Sequence, residues 1–313
     1  MPIHLAFKIR LIKGVVLAPF LFSILLISDF ALAEKNYCKA RAAFSKIVAN
    51  SKRDPNLAFS ALRDRKLVLV GESHLEGERA NYFYLRLIRN QFSVGEKSCF
   101  FIELDENDLQ ATLDQCFGAK EKIEHPACDD LAFTIRPIFN ALYKGVVENR
   151  LAKVFAVDDQ KDWPGESEYK FDRKRERYMA QRIREHMLSG KCEKGIWMGG
   201  VSHLTGTNSS LPKRLKGKLS EDPAVVQIVF TGPGRWSDSE TKRYDPRWHP
   251  YQDSLYCSPQ LPQFKEPFVV RGIELSSFAI LPEGLEDQIN RPFGNWKDFE
   301  FSFFIDFFEG SSR

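Results

Sequence analysis

Five short apolar runs, each followed by a polar loop, constrain the fold of this chain more than any other feature. They are Leu67–Val70, Cys99–Ile102, Val154–Val157, Ile196–Met198 and Val225–Phe230. Each is apolar, save for Gln227 in the last, instead of alternating, which predicts strands covered on both faces. Stretches with helical spacing, Ala80–Gln91, Leu131–Val147 and Phe171–Leu188, separate them. Strand alternating with helix predicts an α/β fold: a mainly parallel sheet with helices on both faces. Phe268–Ile280 and Phe299–Phe308 are β-rich, and the second alternates (Phe299, Phe301, Phe303, Ile305 and Phe307 against Glu300, Ser302 and Asp306). Both are expected to close the sheet with antiparallel or edge strands near the C-terminus.

The first 33 residues stand apart. Lys8, Arg10 and Lys13 precede an apolar run from Val15 to Ile27 that ends in Ala31-Leu32-Ala33. That order is the one a secretory signal peptide needs, and the run is short of the roughly 20 residues that span a bilayer. Residues 1–33 are therefore read as a signal peptide and 34–313 as a single domain, periplasmic or secreted after cleavage. The alternative is an uncleaved anchor, the chain's only expected contact with a membrane. Basic and acidic residues nearly balance, 45 against 42, which gives no excess for a phosphate backbone and argues against nucleic acid as a partner. All six cysteines follow the leader, where an even number can oxidise. Cys116 and Cys128 bracket a polar stretch and are the favoured pair; the other pairings stay open.

Open parallel sheets collect ligands at the carboxyl ends of their strands. Glu72 and His74 follow the first run, Glu103, Asp105 and Glu106 the second, Asp158 and Asp159 the third, and His203 the fourth. Gly-x-Ser-His-Leu occurs twice, at 71–75 and 200–204, each time after an apolar run. Glycine permits the turn, and histidine beyond it can serve as acid, base or metal ligand. On the helix from Phe171, Arg175 sits four residues from both Phe171 and Met179, inside the apolar stripe, and there needs a carboxylate or an anionic substrate group. Arg182 shares that stripe. Asp105 and Glu106, taken singly, read as a helix cap or solvated loop charges, and neighbours Asp158 and Asp159 face opposite sides, so only one can point inward. No H-E-x-x-H, P-loop or dinucleotide G-x-G-x-x-G occurs after the first run. Residues 232–267, rich in proline and aromatics, read as a lid or rim over the site, or as a stiffened surface excursion.

The ordered motifs carry a resemblance. Leu67 to His74 resembles the strand-then-G-E-x-H opening of the ChaN-like haem-binding proteins and their relatives in the Tiki/TraB and erythromycin-esterase superfamily. Arg175-Glu176-Arg177-Tyr178-Met179-Ala180 is similar to the superfamily's R-[DE]-x-x-M-A helix, Gly199–Leu204 to its second strand-and-histidine motif, and Leu211–Leu215 to the proline-containing segment of the ChaN branch. The resemblance implies a cleft built by Glu72, His74, Glu103, Arg175 and His203. It implies either a hydrolase or a haem- or iron-uptake protein.

Two functions are therefore carried forward. In the first, a hydrolase of a small molecule or peptide activates water with Glu72 or His74. The water is free or on a divalent metal held by His74, His203 and Glu103, and Arg175 takes up developing charge. In the second, a non-catalytic haem or iron carrier uses His249 or Tyr251 from the aromatic-rich segment. A catalytically silent interaction module is the third possibility.

Overall fold

The computed structural model describes residues 50, 53–72, 78–118, 125–159, 168–205, 210–231, 268–271 and 298–306. His74, His249, Tyr251 and the 232–267 segment lie outside the described residues.

Seven strands form one sheet in the order β3-β2-β4-β1-β5-β7-β6. They are β1 (Leu67–Glu72), β2 (Ser98–Asp105), β3 (Lys153–Asp158), β4 (Lys194–Gly200), β5 (Ala224–Thr231), β6 (Phe268–Arg271) and β7 (Phe301–Asp306). All pairings are parallel except β6 with β7. The apolar runs form the five leading strands because both faces are covered and neither needs polar alternation. Even-numbered positions such as Val68, Val70, Phe100, Ile102, Ile196 and Val226 pack against α1 (Pro55–Leu62), α2 (Glu78–Gln91), α3 (Glu106–Phe117), α4 (Pro126–Thr134) and α5 (Arg136–Val147). Odd-numbered positions such as Leu67, Leu69, Phe101, Val157 and Trp197 pack against α6 (Glu168–Leu188) and α7 (Leu211–Leu215). Helices thus lie on both faces, as the alternation of runs implies.

One expectation changes. The Leu131–Val147 stretch is not one helix. Its backbone leaves the helical region at Ile135 (φ −112°, ψ 32°), and α5 restarts with Pro137 in its first turn. Proline has no N–H to continue the ladder and is tolerated only at such a start. β7 closes the sheet as expected, pairing antiparallel with β6, which takes the edge, while its other side runs parallel to β5. Its alternation marks a polar pair within the protein instead of a solvent face. Ser302 is fully buried, and its hydroxyl accepts from Gln227 Nε2 at 2.8 Å.

Local signals set the helix ends that aim the site. Asp105 Oδ1 accepts from the Asn107 N–H at 2.8 Å, capping α3 where β2 stops. After α6, Gly190 takes φ +72°, a conformation glycine adopts without a Cβ penalty, and the chain turns back toward β4. Among the described residues two disulfides stiffen the frame. Cys116–Cys128 joins α3 to α4, the pair favoured from the sequence, and Cys99–Cys192 fastens the start of β2 to the turn before β4 across 93 residues. A loop of that length is worth about 4.6 kcal/mol of lost unfolded-state entropy. The pairs match an oxidising compartment. Among the described residues no helix is long and apolar enough to cross a membrane.

Candidate active site

At the carboxyl ends of β2, β3 and β4, four elements deliver charged side chains into one buried cluster. Glu103 is the third-last residue of β2, on the face shared by Cys99 and Phe101. Its Oε1 accepts from Arg175 Nη2 at 2.6 Å and lies 3.0 Å from His203 Nε2, while Oε2 accepts from the Gly200 N–H at 2.6 Å. Gly199 makes this approach possible: a Cβ there would collide with Glu103 Oε2 and with the Trp197 ring. His203 sits in the 3₁₀ turn Val201–Leu204 directly after β4, and its Nδ1 lies 3.8 Å from Glu176 Oε1 on α6. Arg175, from the same helical turn, lies against the Asp158 carboxylate. Its Nε reaches the two oxygens at 3.1 and 3.0 Å, and Nη2 makes a further contact. Asp158, wholly buried, is thus the inward member of its pair.

The electrostatics follow from this packing. Burial alone would raise the Glu103 pKa. The His203 hydrogen bond and charge, the Gly200 N–H and the Arg175 cation outweigh it and hold the carboxyl down to about 2. Burial would lower the His203 pKa, but the hydrogen bond to Glu103 and the neighbouring Glu176 carboxylate raise it to about 9. Near neutral pH His203 is therefore an imidazolium between two carboxylates. Burial likewise works against the Arg175 charge, and Asp158 with Glu103 more than compensates, so its pKa rises.

The structure brings Glu103, Arg175 and His203 together as the sequence implies, and adds Asp158 and Glu176. Glu72 ends β1 on the same edge of the sheet, opposite Gly200 in the register. Strand alternation sends its buried side chain to the other layer, with Val68 and Val70, where its charge is felt by the buried Tyr84. Arg175 does not stand ready for an incoming anion: both neighbouring carboxylates already occupy it. Glu106 is not a solvated loop charge. It accepts from Tyr178 Oη at 2.8 Å and from Arg182 Nε at 2.6 Å, so Arg182 repeats the Arg175 arrangement two helical turns further on. Glu176 escaped the sequence reading although it falls three residues before Met179 and four before Ala180, on the buried stripe. Arg214, whose Nε lies 3.9 Å from Glu176 Oε2, sits in the Leu211–Leu215 motif and was given no role.

These residues do not make a divalent-metal site. Each oxygen of Glu103 has a protein donor, His203 carries a proton where a ligand needs a lone pair, and the Arg175 cation occupies the centre. Among the described residues no group of three or more histidine, cysteine or acidic side chains is placed to hold a metal.

No known family model matches the chain, and no curated protein does. Several solved structures share part of its architecture. The RRSP effector domain of a Vibrio vulnificus MARTX toxin is 17% identical over 59% of this chain and 38% of its own, with a TM-score of 0.42. ChaN of Campylobacter jejuni, described with cofacially bound heme, is 13% identical over 58% of this chain and 88% of its own, with a TM-score of 0.39. The C-terminal region of Pasteurella multocida toxin, described with a thiol-protease-like triad, is 17% identical over 64% of this chain and 30% of its own, with a TM-score of 0.37. The chain thus spans little more than a third of the toxin effector. Likeness this distant concerns the arrangement of strands and helices, and what those proteins bind or cleave remains theirs.

Proposed function

We propose that this chain is an exported hydrolase of small-molecule or peptide substrates, acting at the carboxyl ends of β1, β2 and β4. The observation that carries the reading is the buried Glu103–His203 pair. It keeps an imidazolium at neutral pH beside a carboxylate that stays ionised. Such a histidine serves as a general acid: it can deliver its Nε2 proton to a departing oxygen or nitrogen, and Glu103 stabilises the charge that the ring carries before transfer. The complementary base falls to His74, two residues beyond the end of β1, which would take a proton from water; Glu72, on the other layer of the sheet, takes no part in this step. Arg175 acts as a positioning residue, fixing Glu103 against Asp158, and Glu176 orients the far side of the ring. The two disulfides support export to an oxidising compartment, and the leader followed by one domain, residues 34–313, remains part of this reading.

The test is a panel of ester and peptide substrates offered to the wild type and to His74→Ala, Glu103→Gln and His203→Gln. Loss of a general acid or base is expected to slow turnover by roughly 10²–10⁴-fold. Circular dichroism identifies any variant that has lost its fold. Full activity in a folded His203→Gln variant would remove His203 from the chemistry. A panel without turnover, together with a Soret band on hemin titration that weakens in His249→Ala or Tyr251→Ala, would replace hydrolysis with haem carriage.

A further inference from the structure

A groove of about 720 Å³ lies between α6 and α7, outside the Glu103 cluster. Five cations line it, Arg177, Arg184, Lys213, Arg214 and Lys218, with one carboxylate, Glu185. Glu185 does not neutralise them: it already accepts from Gln181 Nε2 at 2.8 Å and from Arg182 Nη1. Two donors are left over. The Nε atoms of Arg184 and Arg214 are both buried without an acceptor. An N–H in that position costs about 1–3 kcal/mol unless something accepts from it. Arg214 donates from Nη2 to the Arg173 carbonyl at 3.3 Å, and its approach to Glu176 is too long for a hydrogen bond. A second groove, of about 440 Å³ beside α1 and α2, also holds five cations and shows the contrast. There Arg89 and Arg150 share Glu148, and Lys194 reaches Glu96 and two backbone carbonyls.

We infer that the groove between α6 and α7 binds a phosphate group of a small ligand, held by Arg177, Arg184, Arg214 and Lys218. A tetrahedral dianion offers several acceptors at once and suits converging guanidinium forks, which are less strongly hydrated than ammonium groups. The groove's size and the chain's near-neutral balance fit one phosphate-bearing group and not a polynucleotide track. The site is independent of the hydrolytic reading.

The experiment is calorimetric titration of the full chain with inorganic phosphate and with pyrophosphate at fixed ionic strength, using sulfate as a control. Saturable binding to one site is expected. The Arg184→Gln/Lys218→Gln pair should weaken it at least roughly tenfold, the scale of losing charge-assisted hydrogen bonds. Arg63→Gln/Arg86→Gln, in the second groove, should bind as the wild type does. Thermal unfolding verifies that each variant is folded. A parallel arm sediments the protein with phosphatidylglycerol–phosphatidylcholine vesicles. Binding that pyrophosphate displaces assigns the phosphate to a lipid headgroup at this same site. No saturable heat with either anion, equal affinity in the Arg184/Lys218 variant, loss that follows Arg63 and Arg86, or vesicle binding indifferent to pyrophosphate would each overturn the proposal.

Discussion

His203 Nε2 meets Glu103 Oε1 at 3.0 Å across 100 residues of chain, and both groups titrate far from their ordinary values. The folded His203 pKa, about 9, lies above its unfolded value near 6.5. Its stabilising contribution is complete below pH 6.5, declines as pH rises and is gone above 9. Glu103, at about 2 in the fold against about 4.5 unfolded, contributes fully above pH 4.5 and loses that contribution as pH falls toward 2. Thermal unfolding from pH 6 to 9.5 should therefore show a decline in the wild type that His203→Gln lacks, the variant starting from a lower midpoint. A parallel decline in both proteins would mean that the ring is not held as an imidazolium.

Arg175 compensates two buried carboxylates at once, so its loss should be expensive. Arg175→Met leaves Asp158 and Glu103 without their shared cation and is expected to cost about 3–5 kcal/mol. Adding Asp158→Asn should return part of that, because one uncompensated anion is removed. Arg175→Lys keeps the charge and loses the fork, and should fall between wild type and Arg175→Met. Urea midpoints at unchanged slope give the comparison. Additive losses in the Arg175→Met/Asp158→Asn double variant would show that the two side chains are not coupled.

Gly199 is tested by the smallest possible change. A methyl group at this position meets the Trp197 Cζ2 atom at 2.5 Å and the Glu103 carboxylate, and neither can move aside: Trp197 is fully buried and Glu103 is held by three donors. Gly199→Ala should destabilise by about 1–3 kcal/mol, the usual range for overpacking, and should slow any turnover more than the stability loss explains. Gly190→Ala, where open space surrounds the added methyl, provides the backbone control: its cost comes from φ +72° alone. A Gly199→Ala protein as stable and active as wild type would contradict the packing described here.

The sheet was legible because Leu67–Val70, Cys99–Ile102 and their counterparts announce themselves by composition, and a buried strand needs no other signal. Arg175 was legible for the opposite reason: a cation on an apolar helical stripe must find a carboxylate, and it found two. What stayed hidden depended on distance along the chain. Nothing near Ser302 records that Gln227 lies beside it, so the alternation of β7 gave no sign of a buried polar pair. Ile135 interrupts a helix at a place where periodicity continues unbroken, and only Pro137 hinted at the restart. Glu176 was hidden by adjacency, since the flanking arginines make it resemble one more surface charge.

His186 makes the last prediction, because it is buried without the partners that buried polar groups normally have. Its ring stacks on Phe155 with centroids 3.8 Å apart and only 16° between planes, and it faces Phe101 at 6.1 Å. Neither ring nitrogen has a hydrogen-bond partner. Burial, with Arg182 and Lys191 nearby, lowers its pKa to about 4, so the neutral ring is the folded form. Because the folded value lies below the unfolded one, this group's contribution is complete above pH 6.5 and is lost as pH falls toward 4. His186→Phe keeps the stack, removes two unsatisfied nitrogens and deletes the titration. It should raise stability by about 1–3 kcal/mol at pH 7, and by more at pH 5, where keeping the ring neutral costs the wild-type fold part of its stability. Midpoints of thermal unfolding at pH 5, 6 and 8 decide the matter. A gain that does not grow toward acid would show that the ring already titrates normally in the folded state.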